Sequence, residues 1–264
     1  MTTLHLSTGE GTLAFDDTGG DGRLVVCLPG LGDIRSEYRH LTPLLTQAGL
    51  RVVTADLRGH GGSSVGWSSY HPEDVGGDLV ALLDHLGAAE LGGAFVLGCS
   101  LSAAAAVWAA AERPDAVAGL VLIGPFVRDL PVPWYQSLLL RLMTPRLWAG
   151  YLPRLSPTGG PADLADHVAA VRANLSEPGR TTALRAMLLA SKVACEARIG
   201  EVEAATLVLM GGADPDFPDP AAEARYVAEQ LHGSHLVLDG LGHYPHAEDA
   251  ERTAAHVVEF VERA

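Results

Sequence analysis

The sequence predicts an α/β fold: a mostly parallel eight-stranded sheet with helices on both faces and an inserted helical cap. Two observations carry that prediction. Short apolar runs bounded by Gly, Pro or Asp alternate with segments of helical length, the pattern of a parallel sheet buried on both faces. That rhythm stops between about residues 126 and 200, where prolines divide the chain into several helix-length pieces. The expected organisation is a core of residues 1–125 and 201–264 interrupted by a cap of residues 126–200, a division that 264 residues can accommodate in one sheet domain.

The apolar runs set the strands in order. Leu4 to Leu6 and Thr12 to Phe15 read as an opening hairpin, followed by Leu24 to Leu28, Val52 to Ala55, Ala94 to Leu97, Leu120 to Ile123, Leu207 to Met210 and Leu236 to Leu238. Helices are expected at Ser36 to Ala48, Pro72 to Leu86, Leu101 to Glu112, Ala221 to Leu231 and Ala247 to Glu262. The last is the clearest, with Ala254, Val257, Val258 and Val261 on one face at helical spacing. Leu91 to Ala111 carries no charge and is long enough to resemble a membrane span. Its glycines and serines, and the change from AFVLG to LSAAAAVWAAA, instead read as a buried strand, a turn and a buried helix.

Composition narrows the function classes. Apolar residues at 48% and charged residues at 19% describe an ordered protein, and 18 basic against 32 acidic side chains give a net charge of −14. Acidic charge spread along the chain disfavours nucleic acid and anionic membranes as partners, leaving a small-molecule substrate as the expected partner. The pattern leaves oligomeric state open. Cys27, Cys99 and Cys195 are too few and too apolar in their surroundings for a disulfide framework or a zinc site. A reducing, cytoplasmic location is expected, since MTTLHLSTGEGTLAFDD shows no basic segment followed by an apolar run.

The chemistry is concentrated in three loops, each following an expected strand. Gly98, Ser100 and Ser102 stand at the spacing of a nucleophile elbow, where the positions two before and two after the nucleophile must be small because strand and helix nearly collide. On these residues the chain resembles the α/β-hydrolase superfamily, with Ser102 in place of the usual second glycine. The resemblance extends to GGADPDFPDP, which puts Asp214 at the acid position, and to GHYPHAE, which puts His243 at the base position. Asp216 and Asp129 are the competing acids. CLPGLGD resembles the family's oxyanion loop, with Pro29 where a histidine is usual, and implies the backbone amides of Leu31 and Leu101 as oxyanion donors. VVTADLRGHGGSS resembles a further family loop, in which Asp56 and Arg58 are expected to be scaffold.

The resemblance implies a serine hydrolase cleaving a carboxylic ester, or a lactone or thioester, through an acyl-enzyme, with no metal or organic cofactor. Serine at position 100 separates the chain from epoxide hydrolases and haloalkane dehalogenases, which resemble this architecture but use Asp there. The same triad serves C–C hydrolases and acyltransferases, and some proteins of this fold are non-catalytic receptors or signalling partners. In the cap, Trp134, Tyr135, Leu138, Met143 and Trp148 form an aromatic and aliphatic cluster that either packs the cap onto the core or lines an apolar substrate pocket. His246 reads as a helix-entry or packing residue, and His5, His85 and His167 as solvated.

Overall fold

The computed structural model describes residues 2–131, 134–157 and 159–264, apart from the side chains of Trp134 and Gln136. Its strands are β1 (Leu4–Ser7), β2 (Thr12–Asp17), β3 (Leu24–Leu28), β4 (Arg51–Ala55), β5 (Ala94–Cys99), β6 (Val117–Ile123), β7 (Ala205–Gly211) and β8 (Ser234–Leu238). All eight runs read from the sequence therefore become strands. They form one sheet in the order β1-β2-β4-β3-β5-β6-β7-β8. Only the β1–β2 and β2–β4 pairings are antiparallel. The central strands β3 and β5 are buried along their whole length, which is why they read as continuous apolar runs rather than as alternating ones.

Helices cover both faces. One face packs against α2 (Pro72–His85), α3 (Leu101–Glu112) and α9 (Pro220–Gln230) through Leu79, Leu82, Ala106 and Val227. The other packs against α1 (Leu41–Gln47) and α11 (Ala250–Arg263) through Leu41, Leu45, Val257 and Val261. Leu91 to Ala111 divides into β5 and α3, and no helix among the described residues is long and apolar enough to cross a membrane.

Two of the expected helices are broken. Ser36 to Ala48 becomes a 3-10 turn, Arg35–Tyr38, followed by α1. Adjacent Glu37 and Tyr38 are both buried, and the tighter turn delivers the Tyr38 hydroxyl to the Leu28 carbonyl at 2.9 Å. Ala247 to Glu262 is split into α10 (Pro245–Glu248) and α11 because Asp249 leaves helical geometry, and its carboxylate caps the second helix by accepting the Arg252 amide.

Between β6 and β7 lie α4 (Trp134–Arg141), α5 (Pro145–Tyr151), α6 (Leu164–Leu175), α7 (Arg180–Leu189) and α8 (Val193–Glu196). Polar contacts tie them to the sheet. Arg39 forms a two-pronged ion pair with Asp163 at 2.7 and 2.8 Å, and Asn174 both donates to and accepts from Gly61 at 2.9 Å. His167, expected to be solvated, is instead largely buried on α6, with Nε2 2.8 Å from Asp33. Its partner lies in a loop 134 residues away, so no local pattern announces it.

The tightest constraint is where β5 runs into α3. A methyl group added at Gly98 would lie 2.6 Å from the Ser102 carbonyl oxygen and 3.0 Å from the Ala103 Cα. Backbone cannot yield there as a flexible side chain would. Replacing Gly98 with Ala is therefore expected to destabilise the fold by about 1–3 kcal/mol, the usual range for overpacking. A shift of the urea midpoint to lower concentration checks this, and an unchanged midpoint refutes it.

Candidate active site

Ser100 occupies the junction of β5 and α3 with φ 56° and ψ −121°, a left-handed conformation rare for a residue with a side chain. The strain is held from both sides. The Ser100 amide donates to the Ile123 carbonyl at 2.9 Å, and its carbonyl accepts from Phe126 and Ala103 at 3.1 Å each. The conformation lifts the serine side chain off the sheet edge and leaves the helix to begin at Leu101.

The expected partners come from the carboxyl ends of neighbouring strands, where a crevice forms in open parallel sheets. His243 follows β8 and Asp214 follows β7, and their side chains meet with Nδ1 2.6 Å from the Asp214 carboxylate, both buried. A carboxylate only accepts, so Nδ1 carries the proton and Nε2 is left as the basic nitrogen. The ring lies against Phe126, Phe217 and Tyr244. Its backbone amide donates to the Leu155 carbonyl of the inserted segment, and the preceding Gly242 amide is held by Glu248. Gly124, with φ 50°, closes the space between β6 and the imidazole, since a methyl there would stand 2.9 Å from the ring.

Burial by itself would lower the basicity of His243, but the charge and hydrogen bond of Asp214 outweigh it, and Asp216 and Glu37 add to them. The net effect is a pKa pushed up to about 9. Asp216, the nearest rival acid in sequence, lies on the opposite side of the ring, with a carboxylate oxygen 4.0 Å from Nε2. Asp129 is remote in function: it accepts from Ser191 and Lys192 and holds the start of α8.

Along the loop after β3 most backbone polar groups have a partner. The Leu28 carbonyl accepts from Tyr38, that of Pro29 from Ser102 Oγ at 2.5 Å, that of Gly30 from Asp33, and that of Gly32 from Trp148 at 2.9 Å. The Gly30 amide is taken by Glu37 at 2.9 Å. Among the described residues no hydrogen bond engages the amides of Leu31 or Leu101, and Gly30 packs directly beside Ser100. The two positions that depart from the family pattern, Pro29 and Ser102, thus bond to each other, and the hydroxyl at 102 ties the loop to the helix behind Ser100.

Sequence reasoning missed Glu37. Its buried carboxylate bridges the Gly30 amide and His246 Nε2, the latter at 2.8 Å, and so braces the loop from behind. A glutamate in an expected surface helix carries no signal of this, because its partners are 7 and 209 residues away. His246 is a buried packing residue, stacked on Tyr38. Asp56 and Arg58 are scaffold: Asp56 is paired with Arg35 and accepts the Gly62 amide, while Arg58 is paired with Asp78 and lies over Trp67.

Among the described residues two groups bring three possible metal ligands together, Glu37–Cys99–His246 and Asp214–Asp216–His243. Each already contains a direct carboxylate–imidazole hydrogen bond, and burial together with Glu37 pushes the Cys99 thiol well above its ordinary value, away from the thiolate that binds metals.

Of the cap residues singled out in the sequence, Trp148 is buried against Gly32 and donates to its carbonyl, next to Leu31. Met143 is half-buried in the same apolar cluster. Tyr135 and Leu138 lie on the exposed side of α4, and the Trp134 side chain lies outside the described residues. A cleft of about 640 Å³ opens elsewhere, between Arg35, Arg39, Gly61 and Asn174, and does not reach Ser100.

A family model described as serine aminopeptidase, S33, matches residues 21–250. Epoxide hydrolase B of Mycobacterium tuberculosis is 41% identical over 108 residues, 40% of this chain; the chain covers 30% of that protein's length. The 2-heptyl-3-hydroxy-4-quinolone dioxygenase AqdC1 of Rhodococcus erythropolis is 27% identical over 98% of this chain and 96% of its own. Among solved structures, a thermophilic esterase from Thermogutta terrifontis superposes with a TM-score of 0.78 at 24% identity, covering 100% of this chain and 99% of its own, and so shares the fold.

The Ser102–Pro29 hydrogen bond is testable directly. Ser102→Ala leaves a buried carbonyl without its donor and is expected to cost about 1–3 kcal/mol of stability. Thermal melts compared with wild type check this, and an unchanged midpoint means that the bond contributes nothing.

Proposed function

The chain belongs to the α/β-hydrolases, and from that premise we propose that it is a serine hydrolase acting on a carboxylic ester of a small, hydrophobic substrate through an acyl-enzyme. The observations that carry the reading are the buried 2.6 Å contact between Asp214 and His243 and the elbow geometry of Ser100. Ser100 attacks the carbonyl carbon as His243 Nε2 accepts its proton. The negative charge that develops on the carbonyl oxygen is met by the unengaged amides of Leu31 and Leu101. His243 then gives the proton to the leaving oxygen, the acyl-enzyme forms, and a water activated by the same nitrogen releases the acid.

A second reading draws on the dioxygenase that aligns along nearly the whole chain. There the His243–Asp214 pair would withdraw a proton from the substrate without help from Ser100. Ser100→Ala separates the two, since it abolishes ester turnover in the first reading and leaves the second intact.

Fluorophosphonate is expected to label wild-type protein at Ser100, and p-nitrophenyl esters to be turned over. Asp214→Asn should lower turnover by about 10⁴-fold, while Asp129→Asn should leave it near wild type. Absence of both labelling and turnover in intact protein would sink the hydrolase reading, and a reversed ranking of the two Asp variants would move the acid to the earlier strand.

The pH profile follows from the basicity of His243. The ring must be neutral to act as a base, and with its pKa near 9 only about one molecule in a hundred is so at pH 7. kcat/KM should therefore climb about tenfold per unit above pH 7 and level off near pH 9. The stabilising effect runs the other way: the protonated pair contributes fully below the unfolded pKa of about 6.5 and is lost as pH rises through about 9. A profile that levels off below pH 7 would show that Asp214 does not govern the ring.

A further inference from the structure

Asp216 has no part in the proton transfers described above, yet it faces the nitrogen that performs them. Two of its groups are already spoken for. Its backbone amide donates to the Asp214 carboxylate at 2.9 Å, which fixes where residue 216 sits. One carboxylate oxygen accepts the hydroxyl of Tyr151, at the end of α5. Burial and the nearby Asp216 push the Tyr151 phenol up, so it stays a donor. The other carboxylate oxygen points toward His243 Nε2 from 4.0 Å, with the Asp216 side chain 20% exposed.

His243 Nε2 must come within about 3 Å of the leaving heteroatom to protonate it. Whatever substituent the leaving group carries is thereby brought beside the free oxygen of Asp216. When the His243 ring is neutral, as it must be to act as a base, the charge around it is of one sign, that of Asp214, Asp216 and Glu37. Arg154, the cation that acts on Tyr151, is exposed and screened by water. A carboxylate held in place and only partly solvated attracts a cation and repels an anion more strongly than one in bulk water.

We infer that Asp216, held by Tyr151, is a specificity-determining carboxylate that favours leaving groups bearing an ammonium and rejects those bearing a carboxylate. The inference rests on the hydrolase reading and names the leaving-group class for that same site. It adds a recognition role to a residue that the triad chemistry leaves unused.

The test compares the butyrate esters of choline and of 3,3-dimethylbutanol, which share the acyl group and the shape of the leaving group and differ by one charge. Because both esters use the same nucleophile and base, their kcat/KM ratio cancels any general effect on catalysis. Wild-type protein at low ionic strength should prefer the choline ester by about tenfold, and 0.5 M salt should shrink that preference. Asp216→Asn should bring the ratio to near one, whereas Asp216→Glu should keep a preference for the cation. Tyr151→Phe supplies an independent check that leaves residue 216 unchanged, and should lower the ratio at least twofold. A wild-type ratio near one, or a tenfold preference that survives Asp216→Asn, overturns the inference while the hydrolase reading stands. Protein inert toward both esters and toward fluorophosphonate overturns the hydrolase reading and this inference with it.

Discussion

The close approach of β5 to α3 at Gly98 governs the arrangement of the site. A methyl at residue 98 would collide with the backbone of Ser102 and Ala103, so the strand can pass into the helix only through a sharp turn. Ser100, at that turn, takes a left-handed conformation that costs on the order of 1–3 kcal/mol and persists because neighbouring groups over-determine it. The Ile123 carbonyl and the Phe126 amide supply part of that restraint, and they belong to the end of β6 and the residues after it. The same stretch contains Gly124, whose missing side chain makes room for the His243 ring. One steric constraint thus accounts for the strained serine and the uncapped helix start, and the stretch after β6 that restrains them also makes room for the imidazole.

Around this centre the polar groups are assigned with little redundancy. In the loop after β3, partners are supplied by Tyr38, Glu37, Ser102 and Trp148, which come from three different elements. Among the described residues the amides of Leu31 and Gly32 have no hydrogen-bond partner, and a free donor is what a developing oxyanion requires. The hydroxyl of Ser102 binds the backbone carbonyl of Pro29 and so joins the two positions that depart from the family pattern. The inserted helices take part as well: the Leu155 carbonyl holds His243, and Trp148 holds Gly32. These two bonds join the helices between β6 and β7 to His243 and to the loop after β3.

The strands were legible because a parallel sheet covered on both faces demands unbroken apolar runs, and β3 and β5 are buried at every position. Ser100, Asp214 and His243 were legible because each directly follows such a run, at the carboxyl edge where loops converge. The helix breaks at residues 39–40 and at Asp249 were not legible. Periodicity registers which face is apolar, whereas those breaks arise from polar side chains reaching specific partners. Glu37 and His167 were missed for the same reason. Each resembles a solvated charge until the fold brings Gly30 and His246 to the one and Asp33 to the other.

The sequence by itself determined the α/β architecture, the order of Ser100, Asp214 and His243, the proposed nucleophile, acid and base, and the tight turn at Ser100. These follow from local rules, namely burial of apolar runs, the small residues that a tight turn demands, and the loops that end strands. Only the tertiary structure decided that Asp214 rather than Asp216 or Asp129 meets His243 Nδ1, that Asp216 faces the opposite nitrogen, and that the Leu31 amide is left free. Those outcomes depend on distances of a few ångströms between residues far apart in the chain. A carboxylate two residues along a loop can stand on either side of an imidazole without changing the sequence pattern at all.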